Sequence, residues 1–63
     1  MKLKITITMD NAAFDPDFGF EVARILESLA TDIKAHNCLT GPDDHETLTD
    51  INGNRVGEAK VTK

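Results

Sequence analysis

The sequence predicts an α+β domain of order β-α-β-β, with one helix packed on one face of a three-stranded antiparallel sheet. Three observations lead there. Apolar and polar residues alternate strictly over Lys2–Met9, the period of a strand with one buried face. Apolar residues in Phe18–Ala35 recur at helical spacing. Asn52-Gly53, set between two further apolar-bearing segments, is a strong hairpin signal.

In the first strand, Leu3, Ile5, Ile7 and Met9 alternate with Lys2, Lys4, Thr6 and Thr8. Eight residues at about 3.3 Å each span about 26 Å, the length of a helix of about 17 residues at 1.5 Å each. The strand is expected at a sheet edge, where Ile5-Thr6-Ile7-Thr8 is a template for pairing that Lys2 and Lys4 only partly blunt. A homodimer through this edge is one expected assembly. Asp10–Phe14 connects strand to helix, with Phe14 as a plug beneath the helix start. The spacing of Asp10, Asp15 and Asp17 does not match a calcium-binding EF-hand loop, and no Glu closes it.

In the helix, Phe18, Val22, Ile25, Leu26, Leu29 and Ile33 fall within roughly 60° of Val22 on a wheel. Asp15-Pro16-Asp17 is the start signal, with Pro16 at the first helical position and an acid before it as cap. Gly19 weakens the first turn, so the regular helix can begin as late as Phe20. Asn37 is the expected left-handed residue at the stop. Phe20 points about 160° from the stripe. Either an irregular first turn folds it under, or it is an exposed aromatic anchor for a partner.

Cys38–Asp44 reads as a loop punctuated by Gly41-Pro42. His36, Cys38 and His45 supply only three ligands, and their spacing matches no standard structural zinc pattern; neither metal nor cofactor is expected. Two hairpin registers compete. A two-residue turn sets Leu48 opposite Gly57. A three-residue loop, Ile51-Asn52-Gly53, sets Leu48 opposite Val56, with Gly53 left-handed and Asp50 at the turn start. The second is preferred because it pairs two apolar residues on one face. Val56 and Val61 differ in parity, so a bulge at Gly57 is expected to reset the phase. A right-handed crossover makes the first two strands parallel; the third inserts between them, giving order 1-3-2. The expected core includes Leu3, Ile5, Met9, Phe18 and Leu26 beside Ile25, Leu29, Leu48 and Val56.

The 63 residues form one domain, 1–63, with 11 acids against 7 bases and a net charge of −4. That balance disfavours a phosphate-backbone binder, which needs clustered positive charge. A single cysteine forms no internal disulfide and fits a reducing, cytoplasmic setting. The alternating N-terminus lacks the apolar run of a signal peptide, and nothing approaches the ~20 apolar residues of a membrane span.

Three blocks, MKLKITITMDNAAF, EVARILESLA and LTDINGNRVGEAKV, resemble a group of small uncharacterised proteins of bacteriophages and prophages. The resemblance implies a phage-type accessory protein acting inside a bacterial host cell. It implies no activity and carries over no catalytic residues.

The function expected is non-enzymatic: binding and modulating a host or phage protein, with inhibition of a bacterial defence system as the narrower form. The candidate partner-binding residues are Phe20, Glu21, Glu27, Asp32, Asp43 and Asp44, whose acids could mimic nucleic-acid phosphates toward a basic groove. The alternative is a nucleic-acid-binding module using the uncovered sheet face with Lys2, Lys4 and Lys60, although that face lacks stacking aromatics. Cys38 and His36 are the one nucleophile–base pair close in sequence, and at a helix end their side chains diverge.

Overall fold

The computed structural model describes all 63 residues. Strand β1 (Lys2–Ile7) leads through a 3₁₀ turn (Ala12–Phe14) to helix α1 (Phe18–Lys34), followed by strands β2 (His45–Thr49) and β3 (Arg55–Thr62). The sheet order is β1-β3-β2, and β3 runs antiparallel to both neighbours. The α+β class, the strand order and the helix on one face are as the sequence predicts. No helix is long and apolar enough to cross a membrane.

The helix starts two residues later in its signal than expected. Asp17 is the cap, and its Oδ1 accepts the Phe20 N–H at 3.3 Å; Pro16 lies outside the helix, and α1 is regular from Phe18. At the other end His36, not Asn37, takes the left-handed conformation, with φ 60°. The Asn37 N–H donates to Asp32 O and the His36 N–H to Ile33 O, both at 3.0 Å. This pair of bonds satisfies two carbonyls of the last turn and fixes His36 as the residue that must turn left-handed.

The largest departure is the roll of the helix. Its buried residues are Glu21, Ile25 and Leu29, so the inward direction is centred on Ile25 rather than Val22. The flank bearing Arg24, Ser28 and Asp32 faces β2 across a shallow groove of about 170 Å³. The flank bearing Val22, Leu26 and Ile33 is thereby turned toward the β1 side. Ile25 and Leu29 join Phe14, Cys38, Leu48, Val56 and Ala59 in one core. With α1 drawn toward β2, β1 is left partly uncovered: Leu3 stays 49%, Ile5 42% and Leu26 39% exposed. Met9 and Phe18 are exposed as well. These five expected core residues therefore lie at or beyond the margin of the real core.

The hairpin combines both candidate registers. Near the loop, Thr49 pairs with Arg55, the Asp50 N–H donates to Asn54 O at 2.9 Å, and Gly53 has φ +86°. This is the three-residue loop. Farther out, Leu48 pairs with Gly57, the register of the two-residue turn. The extra residue between the two is Val56, so the bulge falls one position before Gly57. Val56 still points into the core because the bulge bends the strand there. Gly57 is needed for another reason. A Cβ on it would lie 1.8 Å from the Thr6 carbonyl oxygen, since β1 crosses against its bare backbone.

Candidate functional site

Three chain segments meet at the end of the molecule where β1 finishes, α1 begins and the β2–β3 hairpin turns. Two buried carboxylates, on Asp50 and Glu21, tie them together. A carboxylate accepts several hydrogen bonds and donates none, so it can gather the free N–H groups of a tight loop.

Asp50 Oδ1 accepts the backbone N–H of Asn52 and of Asn54, each at 2.9 Å. Its Oδ2 accepts from Asn11 Nδ2 at 2.8 Å and from Asn54 Nδ2 at 3.2 Å. Asn11 in turn uses Oδ1 to accept the Ala13 N–H at 2.9 Å, which caps the 3₁₀ turn. Asp50 thus shapes its own loop and holds a segment 39 residues away in sequence. Burial pushes the Asp50 carboxyl up, but the bonds from Asn54, Asn11 and Asn52 outweigh it and hold the group below its ordinary value.

Glu21 ties the helix to the same hairpin. Its Oε1 accepts from Arg24 Nε at 2.8 Å, and its Oε2 accepts from Arg24 Nη2 at 3.2 Å and from the Ile51 N–H at 2.8 Å. Arg24 Nη2 also donates to the Thr49 carbonyl at 3.1 Å. This two-pronged pairing bonds α1 to the end of β2 and the first residue of the hairpin loop, and accounts for the roll of the helix toward β2. The Arg24 guanidinium, helped by the Ile51 N–H, holds the Glu21 carboxyl below its ordinary value against the cost of burial. Every buried side-chain polar atom in the protein has a hydrogen-bond partner.

Above this polar floor, the same segments display large apolar side chains to solvent: Met9, Phe18, Phe20 and Ile51. Phe20 is 73% and Ile51 67% exposed. Phe20 directly precedes Glu21, whose carboxylate holds the Ile51 backbone, so both stand on one pinned scaffold. The first turn is regular and Phe20 is not folded under it. Asp10, Asp15 and Asp17, all exposed, lie on the connecting segments of this end.

The residues singled out from sequence divide into three groups. Phe20 and Glu27 border one shallow hollow with Ala23 and Arg24. Glu21 is buried and structural, so it does not belong to an exposed acidic face. Asp32 lines the groove between α1 and β2 together with Glu46, and Asp43 and Asp44 lie in the loop before β2, past the far end of a helix about 25 Å long. Asp44 is itself engaged: its Oδ2 accepts the Thr40 N–H and its Oδ1 the His45 N–H, both at 3.0 Å. These bonds hold its carboxyl below the ordinary value. The six residues therefore do not make one surface.

No group of three or more His, Cys, Asp or Glu side chains is placed to hold a metal ion. Cys38 is buried in the core, and burial together with the nearby carboxylates of Glu46, Asp32 and Asp44 pushes its thiol pKa up. Such a thiol is a poor nucleophile. On the uncovered sheet face, Lys4 lies opposite Lys60, which lies opposite His45, while the neighbouring cross-strand row carries Glu58.

Sequence reasoning placed Asp50 at the turn start and Ile51 in the loop, but missed the burial of Asp50 and the exposure of Ile51 and Phe18. The signal for Asp50 is present in Asp50-Ile51-Asn52-Gly53-Asn54, where an acid precedes backbone N–H groups two and four residues on, the pattern of a side chain that folds its own turn. Glu21 and Arg24 are three apart, a spacing that lets them pair. Their inward direction had no sequence signal.

Fold and site define a small α+β protein with an apolar, acid-bordered end set on a rigid polar floor. No protein-family model matches the chain, and no curated protein or solved structure matches it.

Proposed function

We propose that this chain is a non-enzymatic, phage-type accessory protein that binds a host or phage protein through the end formed by Phe18, Phe20 and Ile51. One observation carries the reading: large apolar side chains stand exposed on backbone that two buried carboxylates hold in place. Large apolar side chains left exposed at one end of a domain are candidate contacts for a partner, and aromatic anchors on preorganised backbone bind with little ordering cost. Asp10, Asp15, Asp17 and Glu27 favour a partner whose apolar pocket has a basic rim. The phage-type setting rests on the three resembling blocks, and inhibition of a bacterial defence component is its narrower form: the end would cover a basic working surface of that component.

A second reading, nucleic-acid binding by the open sheet face, is favoured by the adjacent Lys4 and Lys60. Glu58 in the next row weighs against it.

Affinity capture from bacterial lysate, with wild type beside the double variant Phe20→Ala/Ile51→Ala, tests the first reading. Both side chains are exposed, so the variant should keep its circular dichroism spectrum. A protein retained by wild type and lost with the variant supports the proposal; identical capture by both refutes it. A salt-sensitive gel shift abolished by Lys4→Ala/Lys60→Ala would favour the second reading.

A further inference from the structure

Strand β1 is an edge whose free groups can be assigned residue by residue. The Thr8 N–H donates to Val56 O at 2.7 Å, and the same ladder sets Thr6 opposite Glu58, Lys4 opposite Lys60 and Lys2 opposite Thr62. Hydrogen-bonded residues alternate along an antiparallel strand. The even-numbered residues of β1 therefore spend their N–H and C=O groups on β3, and those of Leu3, Ile5 and Ile7 point off the sheet. The side chains of these same three residues share the helix face, and Leu3 and Ile5 are only half covered because α1 leans toward β2. The flank of α1 carrying Val22, Leu26 and Ile33 borders the strip. Backbone and side chains are thus both unpartnered along one line.

We propose that a second copy of this chain pairs antiparallel with β1, about a two-fold axis through Ile5, to make one continuous six-stranded sheet. The strand is complementary to itself in this register. Ile5 faces Ile5 of the second copy, Leu3 faces Ile7, Lys4 faces Thr6 and Lys2 faces Thr8. Leu3, Ile5 and Ile7, whose backbone groups point outward, occupy the hydrogen-bonded positions, so each outward N–H meets an outward carbonyl. Apolar residues meet apolar residues, and each lysine meets a threonine. Shifting the axis to Lys4 would set two lysines directly opposite each other, a repulsive pair. Shifting it to Thr6 would leave only Ile5–Ile7 of the regular strand overlapped. An axis perpendicular to the sheet puts both helices on the same face, so Leu3 and Ile5 of the two copies form one apolar strip between them. Self-matching of charge, polarity and free backbone groups is what selects a second copy over a foreign strand. The inference does not rest on the function proposed above, whose principal anchors, Phe20 and Ile51, are not part of the β1 strip.

Sedimentation velocity at micromolar protein should give twice the chain mass of 6.9 kDa. Ile5→Lys places two ammonium groups face to face on the axis and should give a folded monomer, since that side chain is 42% exposed within one chain. A second pair of variants reads the register even if Ile5→Lys fails to fold. In a Cys38→Ala background, Ile5→Cys brings two Cα atoms to about 5.5 Å across the axis, within disulfide reach, and should cross-link on mild oxidation; Lys4→Cys should not. A wild-type monomer at concentrations up to about 1 mM, a folded Ile5→Lys dimer, or equal cross-linking of the two cysteine variants would each overturn the proposal.

Discussion

Leu29→Ala measures how far the domain depends on its helix. Leu29 is 4% exposed and sits in the central cluster with Leu48, Val56 and Phe14. The change removes three carbons, which at about 0.8 kcal/mol per buried methylene forfeits about 2.4 kcal/mol. The space left behind adds to this, so the total should be about 3–4 kcal/mol, inside the about 2–5 kcal/mol seen for such truncations. A 63-residue domain at about 0.05–0.15 kcal/mol per residue has about 3–9 kcal/mol in all. At about 4–8 °C per kcal/mol for a domain of this size, the melting midpoint should fall by about 12–30 °C. Leu26→Ala makes the same chemical change three residues away on the same helix. Leu26 is 39% exposed and its truncation leaves no closed void, so it should cost about 1.5 kcal/mol. Both are read by far-ultraviolet circular dichroism during thermal melting, at one matched protein concentration so that any self-association enters both alike. Equal shifts for the two variants would refute the helix roll, and a Leu29→Ala shift below about 5 °C would refute the helix as the main cover of the sheet.

Gly57→Ala should be among the most damaging single changes, because the new Cβ meets the Thr6 backbone at 1.8 Å and β1 must separate from β3; a melt like wild type would show that the strands do not cross there. Acid sensitivity follows from the carboxylates. Glu21, with an ordinary value of 4.5, and Asp50 and Asp44, at 3.8, are all lowered in the fold. The unfolded chain therefore binds protons first, so their stabilisation is full at neutral pH, starts to fade as pH drops toward 4.5, and is lost as pH falls through the lowered values. Urea midpoints should be level from pH 7 to about 5.5 and decline below about 4.5. In Asp50→Asn the decline should be shallower and the midpoint lower throughout, because an amide NH₂ would face donors that now meet an oxygen. Midpoints that stay level down to pH 3 would refute the account.

The sheet was legible because its signals are local and agree with one another: strict alternation in Lys2–Met9, Asn52-Gly53 at the turn, and a crossover of fixed hand. The helix was legible in extent but not in rotation. Its apolar stripe centres on Val22, and a wheel sends that direction inward. The fold instead turns Ile25 inward, because Glu21 and Arg24 find backbone groups at Thr49 and Ile51 that exist only once the hairpin is closed. Bonds of that kind, 25 and 30 residues apart, leave no trace in periodicity. The bulge was read correctly as a need and misplaced by one residue, since either Val56 or Gly57 resets the phase. Phe20 was legible as the residue that did not fit, whereas Ile51 was hidden inside a turn where an apolar side chain has no pattern to break.

The central ribbon of the sheet, β3, follows all the other elements in the chain. During synthesis, at about 5–20 residues per second, β1 and β2 emerge without any lateral neighbour, and neither can pair with the other across the empty middle lane. Assembly must therefore wait for Arg55–Thr62 and then occur in one stroke. A nascent chain stalled before Arg55 should be protease-sensitive throughout, and a nick within β3 should release both outer ribbons at once.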